Sequence, residues 1–162
     1  MGLFGSDCLD KFFVPGQGRA VAAFLGSELV AVDRVKLFSS FDYYLPFDPE
    51  LPVELRVRRV ASFDTLSVRE DLPGRGVGGR LSQMRLECMR SQGVEVALGV
   101  SWVSGKAHTS NRTFEEAGFR AVRRVDHFSA RSSLENPFDC PGCHVPPCSC
   151  SAVLYRLDLV RS

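Results

Sequence analysis

Apolar positions along the chain fall into short runs with two different periods. Arg19–Leu25 and Glu28–Leu37, "RAVAAFL" and "ELVAVDRVKL", read as two β-runs joined at Gly26-Ser27, which is a hairpin signal. Residues 38–52 are aromatic and broken by proline, so they read as a loop that covers something. Residues 53–68, "VELRVRRVASFDTLSV", form the longest strand candidate, with Val57, Val60, Phe63, Leu66 and Val68 marking it as β. The period then changes. Val77, Leu81, Met84 and Cys88 recur at spacings of four, three and four, one face of a helix that Gly93 ends. Arg80, Gln83, Glu87 and Arg90 take the other side, and the apolar stripe reads as core packing. "VEVALGVSW" is a buried strand, "SNRTFEEAGF" a short helix stopped by Gly118, and "FRAVRRVDHF" another strand. "AVLYRLDLV" closes the pattern as a final strand. Strands dominate the first third and helices connect the later ones, which predicts an α/β or α+β domain with a mixed sheet.

Composition narrows the class. The 162 residues suit one domain, and 44% hydrophobic with 24% charged residues is a globular composition. A net charge of +1 supplies no global field toward nucleic acid or anionic membrane. The arginine clusters Arg56, Arg58, Arg59 and Arg120, Arg123, Arg124 alternate with valines and read as solvated strand faces. No apolar run approaches the roughly 18 residues of a membrane span. The opening "MGLFGSDC" fits the myristoylation pattern at Gly2 but has no polybasic stretch behind it. It also lacks a charged segment followed by an apolar one, so a cytoplasmic location is the expectation.

The chemistry concentrates at "VREDLPGRGVGGRL", residues 68–81, where four glycines alternate with arginines ahead of the helix. Glycines without Cβ atoms let successive backbone N–H groups close on a phosphate, and a helix N-terminus adds its positive end. Arg75 and Arg80 supply side-chain charge to the same group. A tight turn alone would need one or two glycines. Gly74, Gly76 and Gly79 also satisfy the dinucleotide fingerprint Gly-x-Gly-x-x-Gly, with Glu95 beyond. Here, however, Arg69-Glu70-Asp71 separates strand from glycines, and a hairpin comes first, unlike a nucleotide-binding βαβ unit. The Gly-Lys-Ser/Thr of a P-loop is missing.

"LSVREDLPGRGVGGRL" resembles the strand–loop–helix motif of the GNAT acyl-CoA N-acyltransferases, with Gly76 and Gly78 on the two motif glycines and Pro73 in place of the usual Arg or Gln. "FEEAGF", residues 114–119, resembles that family's Tyr-Glu-Lys-x-Gly-Phe segment, and the likeness spans about residues 19–128. The resemblance implies a mixed, mostly antiparallel sheet flanked by helices, with a shortened helical part before the first strand. It implies acyl-CoA, acetyl-CoA first, as co-substrate. Leu66, Val68, Arg75, Gly76, Val77, Gly78, Gly79, Arg80 and Phe114 would bind it. The strand ending at Val68 and the strand over residues 96–103 would splay to admit pantetheine, with the Val68 backbone N–H polarising the thioester carbonyl. An amine then attacks directly, and Asp64, which shares strand parity with Leu66 and Val68, is the expected proton acceptor. Glu54 and Glu70 are weaker candidates, and His108 and His127 read as structural or exposed.

Phe114 stands where the family has the tyrosine that protonates the leaving thiolate, so Tyr155 or Ser110 would serve, or the thiolate leaves unaided. The aromatic stretch "FDYYLPFD" offers a substitute wall for the acceptor site and resembles the N-acyl amino acid synthase branch, whose donors are long-chain acyl groups on carrier protein. The expected partner is a small-molecule or peptide amine, with no nucleic acid and no membrane; a homodimer is left open.

Six cysteines are present, four of them within residues 140–150: Cys140, Cys143, Cys148 and Cys150. Cys8 reads as a terminal bystander and Cys88 as a core residue. In a reducing compartment such crowding points to metal before disulfides, and four thiolates suit tetrahedral zinc. Cys-Pro-Gly-Cys resembles a metal knuckle, His144 could replace one ligand, and disulfides or free thiols are the other readings. The whole is read as one domain, residues 1–162, with this Cys-rich loop, residues 136–151, inserted before the last strand. A zinc-stabilised, non-catalytic interaction module on the same scaffold is the competing function.

Overall fold

The computed structural model describes residues 19–37, 42–56, 58–69, 76–104, 110–135, 138, 140 and 142–159. These form one six-stranded sheet in the order β1-β2-β3-β4-β6-β5. Strands β1 (Arg19–Leu25) and β2 (Glu28–Leu37) make the expected hairpin, with Gly26 in the left-handed region at φ 64°. β2 pairs antiparallel with β3 (Val60–Val68), and β3 pairs parallel with β4 (Val96–Val103). β6 (Ser151–Asp158) inserts antiparallel between β4 and β5 (Arg120–Val125). The mixed, mostly antiparallel sheet is therefore present.

Each face of the sheet has its own core. On one face, helix α2 (Val77–Ser91) and the short α3 (Asn111–Glu116) cover Ala61, Phe63, Ala97 and Tyr155, and α2 continues over Ala23, Val30 and Ala31. On the other, residues 42–55 bury Tyr44, Phe47, Leu51 and Leu55 against Val60, Val96, Leu98 and Leu154. The aromatic loop does cover something, namely the core. Tyr44 and Phe47 are consumed there, which removes them as a substrate wall; Tyr43 stays exposed.

The strand reading over residues 53–68 is corrected at its start. Leu51–Leu55 is a helical turn, α1, because Leu51 and Leu55 are four apart and both buried while Val53 between them is exposed. The stripe of α2 is also rotated. Its buried residues are Val77, Leu81, Ser82, Arg85, Leu86 and Met89, whereas Met84 and Cys88 are only half-buried. A second correction is α4 (Ala130–Glu135), which has no apolar stripe to announce it. Its buried residue is Ser133, and an Arg131–Glu135 pair at 2.7 Å supports the exposed side.

Candidate functional site

β3 and β4 part company halfway along. They pair from Val60↔Val96 to Phe63↔Gly99, and beyond that point β3 runs on to Val68 and β4 to Val103 with no pairing between them. Each arm is still held on its far side, β3 by β2 and β4 by β6. The split therefore leaves two facing strand edges whose backbone groups need a partner.

The divergence coincides with a bulge. The β2–β3 register steps from Val35↔Phe63 to Arg34↔Thr65, so Asp64 is the extra residue. Ala61 and Phe63 below it, and Leu66 and Val68 above it, all pack on the α2 face. Alternation is thus shifted by one across the bulge, and the parity argument that grouped Asp64 with Leu66 and Val68 does not hold. Asp64 remains on the backbone at the point of divergence; its side chain lies outside the described residues, as do Glu70 and Arg75.

At the end of β3 the chain returns as α2, and its three described glycines have three separate reasons. Gly76 caps the helix at φ 72°, a left-handed conformation that favours glycine. Gly78 sits where a Cβ would lie 3.3 Å from Leu66 Cδ2, so it brings α2 close to β3. A Cβ at Gly79 would meet nothing within 4 Å. No contact among the described residues calls for glycine there, and the space lies beside the first helical turn. Arg80 N–H is bonded to the Gly76 carbonyl at 3.0 Å, so the N–H groups of Val77, Gly78 and Gly79 precede the first intrahelical bond. Arg80 itself is exposed.

The base of the split is aromatic. A Cβ on Gly99 would run into the ring of Phe114, which lies over the last paired position. Phe114 stacks on Tyr155 with centroids 5.0 Å apart and planes 12° apart, and touches Phe63 and Phe119 edge-on or tilted. It is a buried plug, so its contribution to binding would be a floor. Tyr155 pairs with Gly99 across the sheet and donates its hydroxyl to Glu115 at 3.1 Å. Burial, then the Glu115 carboxylate, raises its pKa, so the phenol stays protonated at neutral pH.

On the β4 arm, Ser110 donates to the buried Ser101 at 2.8 Å and brings the start of α3 alongside the split. The next residue, Asn111, has a buried Oδ1 with no hydrogen-bond partner among the described residues. Sequence reading passed over Asn111. It also passed over the ion pair under the β3 arm, in which Arg85 of α2 meets Asp33 of β2, both almost fully buried. The Arg85 guanidinium lies 3.1 Å above the Phe63 ring. Burial pulls its pKa down to about 9 while Asp33 opposes that, so the pair is charged at neutral pH.

A parallel pair that splits past a bulge, with a glycine-opened helix returning from the end of the first strand, can be compared with known structures. A Bacillus subtilis acetyltransferase in complex with CoA superposes with a TM-score of 0.61 at 19% identity, covering 89% of this chain and 78% of that one. A GNAT family acetyltransferase from Elizabethkingia anophelis with acetyl-CoA bound gives 0.60 at 13% identity, covering 88% and 76%. An IAA acetyltransferase from Bacillus cereus gives 0.60 at 14%, covering 88% and 78%. This chain has the GNAT acetyltransferase fold. At these identities the likeness is one of fold; no family model and no curated protein matches the sequence.

Set on the GNAT fold, the other candidate carboxylate is occupied. Glu54 takes two hydrogen bonds from Arg156, at 2.8 and 3.0 Å, which hold its pKa below the usual carboxylate range and make it a poor base. His127 is exposed, and His108 lies outside the described residues. The four late cysteines do come together, with all four Sγ atoms within 4.8 Å of one another, and His144 is not among them. None of the four, nor the half-buried Cys88, is in a disulfide among the described residues. A backbone hydrogen bond at Ser149 is the main cause that lowers Cys143 to about 6, whereas burial pushes Cys150 up to about 12. Among the described residues no helix is long and apolar enough to cross a membrane.

Proposed function

We propose that this protein is an acyl-CoA N-acyltransferase that moves an acyl group, in the first place acetyl, from CoA to an amine by direct attack. The observation that carries the reading is the split itself: two open strand edges that diverge at a bulge and lead to a glycine-lined helix N-terminus. Pantetheine is an extended chain with two amides, so it can act as a third strand between the arms. Asn111 Oδ1 is a ready acceptor for one of its N–H groups. The pyrophosphate would sit on the N–H groups of Val77, Gly78 and Gly79, where the helix dipole and Arg75 and Arg80 favour negative charge. Two of the similar structures hold CoA or acetyl-CoA, which supports this donor class.

In the reaction the amine lone pair adds to the thioester carbon and the carbonyl electrons move to oxygen. The Val68 N–H stabilises that oxyanion. Collapse breaks the C–S bond and expels CoA thiolate, while the amine proton passes to Asp64 and from there to solvent or the thiolate. Tyr155, protonated and adjacent to the base of the split, is a further proton source. The cysteine cage is assigned to a structural zinc ion: four protein ligands leave no open position for chemistry.

Calorimetry with acetyl-CoA tests the donor site. Gly79→Asp puts a carboxylate in open space on the first turn, where it should slightly favour the helix and repel a phosphate. Affinity is expected to fall at least about tenfold with no loss of thermal stability. Equal affinity in both proteins would remove the phosphate site from α2.

A further inference from the structure

Past Gly99, β4 has lost β3, and residues 100–103 are paired only with β6 among the described strands, through Val100↔Leu154, Ser101↔Val153, Trp102↔Ala152 and Val103↔Ser151. The segment that delivers the chain into this end of β6 is the cysteine cage. Cys150 immediately precedes Ser151, and its carbonyl accepts the Phe128 N–H at 3.2 Å. The Cys148 N–H donates to Ser133 Oγ of α4 at 2.8 Å. Gly142 is wedged between Cys150 and the end of β4. A Cβ there would stand 2.8 Å from Cys150 Sγ and 2.5 Å from Ser104 Cβ, so only glycine lets the knuckle close on both. The cage thus touches the end of β4, the start of β6 and α4 at once.

Among the described residues, little except sulfur holds this segment together. Its buried cluster consists of Cys140, Cys148 and Cys150 with Cys143 against them, and Val145 is exposed. A neighbouring apolar anchor is Phe138, tilted against Trp102 at 5.6 Å. The sulfur spacing is informative. Cys140 Sγ lies 3.6 Å from Cys150 Sγ and 3.7 Å from Cys148 Sγ. A zinc ion with thiolates at about 2.3 Å in a tetrahedron imposes an S···S edge of about 3.8 Å. A disulfide would need about 2.05 Å. The arrangement fits a four-thiolate zinc centre with no open coordination position.

We propose that one zinc ion in this cage clamps the free arm of β4, so that metal occupancy controls the order of that arm and, through it, the affinity for acyl-CoA. The proposal rests on the zinc and acyltransferase readings above. Ordering the segment over residues 140–150 costs backbone entropy at each residue. A cluster of neutral thiols offers little against that cost, whereas metal–thiolate bonds offset it. Without the ion, residues 140–150 come loose, the first residues of β6 fray, and residues 100–103 lose their lateral partner. The β3 arm, packed on β2 and α2, is untouched.

The test uses the full chain purified without chelator. Elemental analysis is expected to give about one zinc per chain, and amide hydrogen exchange is followed before and after a chelator strong enough to compete with four thiolates removes the metal. Exchange over residues 100–103 and 151–154 should accelerate at least about tenfold while β2 and α2 keep their protection, and the Kd for acetyl-CoA should rise several-fold. Less than about a tenth of an equivalent of metal, with all six cysteines titratable as thiols, would overturn the metal site. Stoichiometric zinc whose removal leaves exchange unchanged would overturn the clamp. A response in exchange without any change in CoA affinity would overturn the coupling. If CoA fails to bind the zinc-loaded protein, the acyltransferase reading and the coupling both fall, and exchange still judges the clamp. Because serine variants at the buried cysteines are at risk of unfolding, the paired variants are at half-buried Cys143. Cys143→His keeps a four-ligand site and should retain zinc and protection, and Cys143→Ala should lose both. Equal protection in these two variants would again reject the clamp.

Discussion

The two arms of the split are the same element at the same place in one sheet, yet they are held by opposite means. The β3 arm is held by ordinary packing, with Leu66 and Val68 against Val77 and Leu81 of α2, and by a buried ion pair that ties α2 to β2. The β4 arm has no helix packed on it in the same way among the described residues. It is paired with β6, Val100 packs on the Tyr44–Phe47 core, and Gly142 of the cysteine segment sits against Ser104 just past its end. The first arm belongs to the cooperative core and should open only when the domain unfolds. On the zinc clamp proposed above, the second arm depends on a local cross-link and can be loosened alone.

Breaking the fixed wall should have the largest effect. Arg85→Met leaves the Asp33 carboxylate buried without that cation, which costs about 3–5 kcal/mol in comparable pairs. The whole domain should lose that stability in urea unfolding. Adding Asp33→Val should recover most of it, since an apolar pair of similar volume is often as stable. A single variant within about 0.5 kcal/mol of wild type would show that the pair is not what anchors the β3 arm.

The bulge that begins the split comes next. Asp64→Asn should lower the acyl-transfer rate by about 10²-fold, near 2.7 kcal/mol of activation free energy, with CoA affinity intact. An unchanged pH–rate profile in that variant would hand the proton to water.

The smallest effect is electrostatic and lies at the paired base of the β4–β6 side. Arg156, opposite Leu98 on β6, holds Glu54 and Asp158 with pKa values below their usual range, its hydrogen bonds being the main cause for each. A carboxylate with a lowered pKa stabilises the fold above its ordinary pKa, and that contribution is lost as pH falls through the lower folded value. The acid limb of stability should therefore begin near pH 4.5 and continue below it. Glu54→Gln should flatten it, with less than about 1 kcal/mol lost at neutral pH because Glu54 is half-exposed. An identical acid limb in the variant would mean that the Arg156 pairs are not formed in solution.

Several of these features were legible before any coordinates. The hairpin turns at Gly26-Ser27 because an apolar run on either side of a glycine leaves few alternatives. The glycine stretch before Val77 marked the start of a helix, and four cysteines within one short segment declared their own convergence. Other features were hidden for identifiable reasons. Leu51–Leu55 straddles the expected loop and the expected strand, and its helical turn is chosen by which two leucines reach the core. α4 carries no apolar stripe; it exists because Ser133 and the cage dock on each other. Arg85 drew no reading from the sequence, since nothing local marks a helical arginine as buried until its partner, fifty-two residues away, is seen.

The sequence by itself determined the elements with strong local periods, the glycine-opened start of one helix and the crowding of thiols in one loop. Each depends on residues close together along the chain, where propensity and spacing act directly. Only the tertiary structure decided that β3 and β4 separate after Phe63 and Gly99, that Asp64 is the residue the register skips, and that Gly142 of the cysteine segment sits between Cys150 and Ser104 at the outer end of β4. Those facts depend on pairing between distant segments. A one-residue slip in a strand changes which face every later side chain takes, and no local pattern records where such a slip occurs.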